Sequence, residues 1–363
     1  MTPSQLLFRD LIRLALGNGN DCQVPSEVNW TEVVDIAFSQ GLAAIACDGL
    51  QRLYEIHPEI QLTLDAAEYE DVKYEWFGSA LEAENNYSQH RLLLEEICNL
   101  LKPNEIPVCL MKGIGVGLNY PVPSHRPCGD IDIYTGRYKN AVNDIFCRKF
   151  GASVDEDNPK HSKMVLKGIS VENHGTFSDT AVSTAEQRAE DILLEIIDKK
   201  GYDYEASLPG NCALLPADAN YIFLLKHLCA HFRTRTSASI RQVLDLGLFL
   251  ATHSDELDIE GDKAIVKNLG LSKLNDIFVS IAEDFSGPSL KNFYIGKPSV
   301  NDVERVLRDL LNAHPNEVPR PRLAMMWYKA KSALGILWKY KYYPDNWQRI
   351  MYGIRHNMVR TKW

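Results

Sequence analysis

The stretch from Ile106 to Tyr134 constrains this 363-residue chain more than any other. It reads I-P-V-C-L-M-K-G-I-G-V-G-L-N-Y-P-V-P-S-H-R-P-C-G-D-I-D-I-Y. The apolar run Ile106 to Met111 predicts a short buried strand. It breaks at Lys112-Gly113, and an amphipathic segment is expected from Ile114 to Tyr120. A proline-punctuated loop, Pro121 to Pro127, then leads into Gly129-Asp130-Ile131-Asp132-Ile133-Tyr134. That last piece alternates strictly, so it predicts a second strand. Side chains of a strand point to opposite faces with a period of two. Asp130 and Asp132 therefore share one face, about 6–7 Å apart at Cα, and the two isoleucines share the other. Two carboxylates so close repel unless a cation lies between them. Hard divalent cations take such oxygen ligands. The plain alternative for a bare D-x-D is a solvated strand edge; the glycine turn upstream favours the site.

Around this stretch the chain divides. Residues 1 to about 100 predict helices. Leu6, Leu7, Leu11, Ile12 and Leu14 recur at helical spacing, and Val33, Val34, Ile36, Ala37 and Leu42 continue the pattern beyond a break near Gly41. From Ala66 to Leu101 there is no proline and a single glycine, Gly78. One long helix or two joined ones are expected there, closed by Pro103. No residue in this part suggests chemistry.

Residues 102 to 208 alternate strand and helix signals, the mark of a mixed α/β sheet. Tyr138 to Phe150 predicts a helix closed by Gly151. Met164-Val165-Leu166 predicts a strand, Lys167-Gly168 a tight turn, and Ile169 to His174 its partner. In that partner Ser170, Glu172 and His174 share a face opposite Ile169 and Val171. Glu172 is thus a third acid with a defined facing. Thr184 to Lys200 predicts a helix. Beyond about 211 the chain returns to helix, starting at Pro216-Ala217-Asp218. His227 and His231 stack on one helix face at a spacing that can hold a transition metal, but no third ligand stands nearby in the sequence. Arg241 and Asp245 share a face in the same way, with an ordinary i,i+4 ion pair as the plain reading.

Composition excludes little. Apolar content of 45% and charged content of 24% are ordinary for a globular protein. No apolar run is long enough to cross a bilayer, and Met1 to Asp10 lack the basic and apolar regions of a secretory leader. Eight cysteines with no C-x-x-C pair suit a reducing cytoplasm. The net charge of −9 is uneven: residues 320–363 hold ten lysines and arginines against one acid, Asp345, so the rest of the chain carries −18. This basic tail interleaves aromatic residues with its cations: Trp327, Tyr328, Lys329, Lys331, Trp338, Lys339, Tyr340, Lys341, Tyr342 and Tyr343. It has the chemistry to bind nucleic acid. Docking onto the acidic body is favoured, because Leu334, Ile336 and Leu337 need burial.

L-M-K-G, then Y-P, then H-R-P-C-G-D-I-D-I-Y resembles the signature of the polymerase-beta-type nucleotidyltransferase superfamily. More narrowly it resembles a family of uncharacterised bacterial nucleotidyltransferases with a Lys-Gly turn and an R-P-x-x-D-I-D core. V-E-N-H at 171–174 is similar to that family's acid-x-His strand. K-H-L-C-A-H-F followed by R-Q-V-L-D is similar to its C-terminal helical signature. The matching pieces run from about Ile106 to Leu250. The resemblance implies that Asp130, Asp132 and Glu172 are the catalytic, metal-binding acids. It implies that Lys112, Gly113, Arg126 and Gly129 meet the nucleotide, with helix amides after the turn helping to hold a phosphate. Arg126 then pairs with phosphate, its alternative being a loop salt bridge. His174, His227, His231, Arg241 and Asp245 are expected to line the cleft. The implied cofactor is Mg²⁺ or Mn²⁺, and the implied substrate an NTP, with ATP as the expected one. The chain departs from the superfamily at Lys112, which stands where a small residue is common. Its loop from Gly113 to Asp130 is longer, and Glu172 is a longer acid than the usual Asp.

The expected architecture is an α/β (α+β) fold with a small mixed-sheet nucleotidyltransferase core, residues 102–208. A helical part, 1–101, precedes it, and a helical part with the basic tail, 209–363, follows. The expected activity moves an NMP from an NTP to an acceptor hydroxyl and releases pyrophosphate. Two alternatives are a catalytically silent nucleotide-binding or regulatory protein and a nucleic-acid module using the tail. No membrane contact is expected. The sequence leaves open the acceptor (small molecule, protein side chain or RNA end), the base, the oligomeric state and the role of the outer parts.

Overall fold

A computed structural model of the chain describes residues 1–19, 22, 28–65, 67–210, 212–234, 238–312 and 335–352. Five helices come first: α1 (Pro3–Ala15), α2 (Trp30–Ser39), α3 (Ala43–Ile56), α4 (Glu59–Leu64) and α5 (Glu70–Leu101). Thr2 and Gln5 form a reciprocal capping box that starts α1. Helix α5 runs unbroken for 32 residues, through Gly78, and stops at Lys102-Pro103. The sheet region follows with β1 (Val108–Leu110), α6 (Ile114–Gly117), β2 (Asp130–Tyr134), α7 (Lys139–Phe150), β3 (His161–Leu166), β4 (Ile169–His174), α8 (Thr184–Lys200) and β5 (Cys212–Leu214). Helices α9 (Ala217–Arg233), α10 (Ile240–Thr252), α11 (Ile259–Asn268), α12 (Ser272–Ser286) and α13 (Val300–Leu311) complete the main body.

The five strands form one mixed sheet in the order β3-β4-β2-β1-β5. β2 lies parallel to β4 and antiparallel to β1, β3 antiparallel to β4, and β5 parallel to β1. Alternation decides which way β2 faces. Ile131 and Ile133 are buried in an apolar layer with Val108, Leu110, Met164, Leu166 and Val171, closed by Val142 and Phe146 of α7 and Leu94 and Ile97 of α5. Each such side chain is worth about 1.5–3 kcal/mol when fully buried. A one-residue slip of register would turn the carboxylates into this apolar layer instead, so the layer pins the acids to the other face. Met111, Val116, Tyr134 and Phe177 belong to a second apolar cluster that runs from α1–α3 through α9, α10 and α12.

The mixed α/β architecture is the one expected, and several details differ. The segment after the Lys-Gly turn forms a single buried helical turn, Ile114–Gly117, rather than an amphipathic helix to Tyr120. β3 begins at His161, three residues before the apolar run that signalled it. β5 lies past residue 208, where only helix was expected. Three residues are too few to show a period, and the parallel partnership of β5 with β1 is what makes it a strand. Part of the tail lies within the described residues and packs on the body. Lys339 pairs with Asp309 and Lys341 with Asp302, both at 2.7 Å. The Arg233 guanidinium lies 3.8 Å over the Tyr343 ring, and the Tyr343 hydroxyl donates to the Cys229 carbonyl at 2.6 Å. Leu337 is half exposed rather than buried. Trp327, Tyr328, Lys329, Lys331 and Leu334 lie outside the described residues.

Two expected outcomes follow from the packing. A Cβ on Gly49 of α3 would meet the Leu11 carbonyl oxygen of α1 at 1.9 Å, whereas one on Gly78 would meet nothing within 4 Å. Gly49→Ala should therefore cost about 1–3 kcal/mol or more through overpacking, and Gly78→Ala should gain about 0.5–1 kcal/mol of helix stability. Equal thermal midpoints for the two variants would contradict this. Asp262 of α11 is buried against Asp218, and its carboxyl is pushed up to about 8, by burial first and then by the Asp218 charge. The folded protein thus keeps a proton that the unfolded chain loses near pH 4, and this group's contribution to stability declines from about pH 4 to 8. Asp262→Asn, which can still donate to Asp218, should remove that decline and stabilise the protein above pH 8. Denaturant unfolding across that range checks it.

Candidate active site

β2 and β4 run side by side with Asp132 opposite Glu172. Alternation puts Asp130 on the same face, one step back along β2. Oxygens of the three carboxylates lie within 4.8 Å of one another. Asp132 is the most enclosed of them, 1% exposed. Its Oδ1 is 2.8 Å from Lys112 Nζ and 3.0 Å from His174 Nε2. Burial alone would raise this carboxyl; Lys112 and His174 outweigh it and hold Asp132 well below the usual carboxylate range. Asp130 goes the other way: burial and the Asp132 charge raise it. Glu172 is lowered, chiefly by its contact with His174 and against burial. Asp132 and Glu172 are therefore the firmly ionised members of the group.

Lys112 reaches the acids because the chain turns sharply after β1. The Met111 amide donates to the Asp132 carbonyl, and Gly113 follows at φ 58°, ψ −115°. That region favours glycine, and a Cβ there would approach the Asp130 carbonyl oxygen at 3.5 Å. Helix α6 is only one turn long, so a helix-end field for phosphate, as first expected, has too few aligned peptides behind it. Lys112 is the charge at this turn. Gly129 stands at the entry to β2 with open space around it.

Lys112, Gly113, Gly129, Asp130 and Asp132 line a cleft whose other wall is α9 and α10. His227, His231, Arg241 and Asp245 line it from that wall, and Arg126 from the loop before β2. The structure thus brings most of the expected residues to this cleft, in different partnerships from those in the sequence pattern, whereas Glu172 and His174 meet Asp132 without lining the cleft. Arg126 forks onto Asp245, Nε to Oδ1 at 3.1 Å and Nη2 to Oδ2 at 2.7 Å, and the Tyr120 hydroxyl donates to the same carboxylate at 2.9 Å. Arg126 is 6% exposed, so its guanidinium serves a buried salt bridge. Among the described residues no ion pair joins Arg241 to Asp245. Arg241 instead donates to the Pro127 carbonyl at 2.9 Å, and its Nε has no hydrogen-bond partner. Burial and the Arg126 charge lower its affinity for a proton, the mark of a cation short of counter-charge. The His227 and His231 rings meet edge to face at 4.4 Å. Burial, followed by Lys112, holds both below the usual imidazole range, so both are neutral at pH 7. They belong to neither of the three-donor groups found among the described residues.

Three residues were missed. His161 lies beside His174 across β3 and β4, and Lys163 beside Glu172. H-S-K-M-V-L carries the signal: extending the alternation back from Met164 sets His161 and Lys163 on the acid face. Lys160, next in the chain, is half-buried, and burial lowers its ammonium, with Asp179 and Lys112 nearby. Nothing in its spacing marks it.

A family model described as an uncharacterised nucleotidyltransferase matches residues 26–287, and the chain belongs to that family. No curated protein and no solved structure matches it. Among the described residues no helix is long and apolar enough to cross a membrane.

The Arg126–Asp245 pair gives a direct test. Removing one partner of a buried pair leaves an uncompensated charge and costs about 3–5 kcal/mol. Asp245→Ala should lose that much in denaturant unfolding, and Arg126→Met/Asp245→Leu should recover most of it. A double variant as unstable as Asp245→Ala would contradict the pairing.

Proposed function

We propose that this nucleotidyltransferase transfers a nucleoside monophosphate from an NTP to an acceptor hydroxyl and releases pyrophosphate. The observation that carries the reading is the convergence of Asp130, Asp132 and Glu172, from two strands, at the edge of a cleft walled by cationic and imidazole side chains. The donor set fits a hard divalent cation. Three carboxylates face one close ammonium, Lys112 at 2.8 Å, and one distant one, Lys163 at 3.8 Å from Glu172. That leaves negative charge unmatched, with oxygen donors of the kind Mg²⁺ or Mn²⁺ takes. When bound, such an ion supplies charge neutralisation to the triphosphate and to the attacking and leaving oxygens.

The chain's own residues have distinct tasks in this reading. Asp132 and Glu172 stay ionised at neutral pH and hold the cation. The lowered carboxyl of Glu172 suits it to that role more than to taking a proton from the acceptor. Asp130, whose carboxyl is raised by burial and by the Asp132 charge, completes the donor set once a cation offsets that repulsion. Lys112 now sits on Asp132, and a phosphate oxygen beside it would compete for its ammonium. Arg241, with an idle Nε and no ion pair among the described residues, is placed to meet an anion from the α10 wall, whereas Arg126 braces that wall through Asp245. We propose the matching division of the chain. Residues 1–101 brace the back of the sheet through α5, 102–208 carry the acids, and 209–363 add β5 and close the cleft with α9 and α10. ATP is the proposed donor.

Calorimetric titration with each NTP, with and without Mg²⁺, tests the reading. ATP should bind only with Mg²⁺, and Asp130→Asn/Asp132→Asn should abolish that binding while leaving the fold intact by circular dichroism. Unchanged binding in the double variant would sink the site as drawn.

A further inference from the structure

Glu172 has a second set of neighbours, on the side away from Asp130. The register of β3 against β4 sets His161 directly opposite His174. Glu172 Oε2 lies 3.5 Å from His174 Nε2 and 3.6 Å from His161 Nε2. Two imidazole nitrogens and one carboxylate oxygen therefore converge, all within 4.8 Å of one another. Both separations are too long for ordinary N–H···O hydrogen bonds, which peak near 2.9–3.0 Å. They match what a coordinated ion imposes. With ligand distances of about 2.0–2.1 Å and tetrahedral angles, neighbouring donors stand about 3.3 Å apart.

The surroundings leave these rings available. Nδ1 of His161 and Nδ1 of His174 are both buried without a hydrogen-bond partner. His161 Nε2 is free to offer its lone pair, whereas His174 Nε2 donates to the ionised Asp132, so an ion binding there requires the His174 proton to move to its unpartnered Nδ1. The one hydrogen bond an ion would displace is that from His174 Nε2 to Asp132 at 3.0 Å. Lys163 does not fill the place, since its ammonium is 3.8 Å from the other Glu172 oxygen and its side chain is half exposed.

We propose that His161, Glu172 and His174 form a second cation position that shares Glu172 with the Asp130–Asp132–Glu172 position and takes a divalent transition-metal ion of the Zn²⁺ type. It rests on the proposed metal-dependent reading of that neighbouring site. The chemistry separates the two positions. Oxygen-only donors suit Mg²⁺, whereas imidazole favours the later first-row metals. Shared by one carboxylate, the two ions would sit near the spacing of about 3.5–4 Å common in two-metal centres.

The test loads metal-free protein with Zn²⁺ in excess Mg²⁺ and reads the zinc ligands by X-ray absorption, with affinity from calorimetry. One Zn²⁺ per chain should bind, with two imidazoles in its shell. His161→Ala should drop the count to one and weaken Zn²⁺ by roughly 10-fold or more, since losing even an outer partner of a ligand costs 10–100-fold. His227→Ala should keep both imidazoles, and it decides the matter if His161→Ala does not fold. No Zn²⁺ bound under Mg²⁺, an oxygen-only shell, or two imidazoles that vanish in His227→Ala would overturn the inference. If the unmodified protein fails in this way yet binds ATP with Mg²⁺, only the second position is rejected. Failure of both rejects the reading beneath it as well.

Discussion

A carboxylate taken out of water costs several kcal/mol unless opposite charge and hydrogen bonds meet it. Asp132 is such a group, and its two partners come from separate strands. Lys112 stands just past the end of β1, and His174 at the end of β4. The three meet only if β1, β2 and β4 are neighbours in the observed order and register. The same register sets Glu172 opposite Asp132 and leaves the isoleucines of β2 on the apolar face. Fold and chemistry therefore share one constraint. The apolar layer beneath the sheet determines where the acids point, and the lysine and histidine make their burial tolerable.

That constraint explains what the sequence made legible. The D-I-D-I-Y alternation located β2, its facing and its acids, because a period of two is a direct consequence of strand geometry. Ile169 to His174 located Glu172 and His174 for the same reason. His161 was missed because β3 was started at its apolar centre, Met164, and its polar outer end was left out. β5 was missed because three residues cannot show a period. The Arg126–Asp245 pairing was out of reach for another reason. The two residues are 119 positions apart, and helical spacing pointed Asp245 to Arg241 instead. Local pattern reports which face a residue is on; it does not report which distant loop arrives there.

The cleft's far wall then has a clear division of labour. Asp245 is committed to Arg126 and Tyr120, a buried network that fixes α10 against the loop before β2. Arg241, one turn away, keeps a guanidinium that is not fully answered. Neutral His227 and His231 add donors and acceptors without adding charge. The described part of the basic tail spends its cations on Asp302, Asp309 and Glu186 of the body and on its own Asp345. For residues 335–352 the charge asymmetry is thus largely an internal match.

The most direct measurement of the central claim is a crystal structure with Mn²⁺ and a non-hydrolysable ATP analogue, with Mn²⁺ placed by its anomalous signal. We expect a peak within ligand distance of Asp130, Asp132 and Glu172 and the triphosphate between Lys112 and the α9–α10 wall. A nucleotide bound in another cavity, or Mn²⁺ away from these three carboxylates, would contradict the assignment of this cleft.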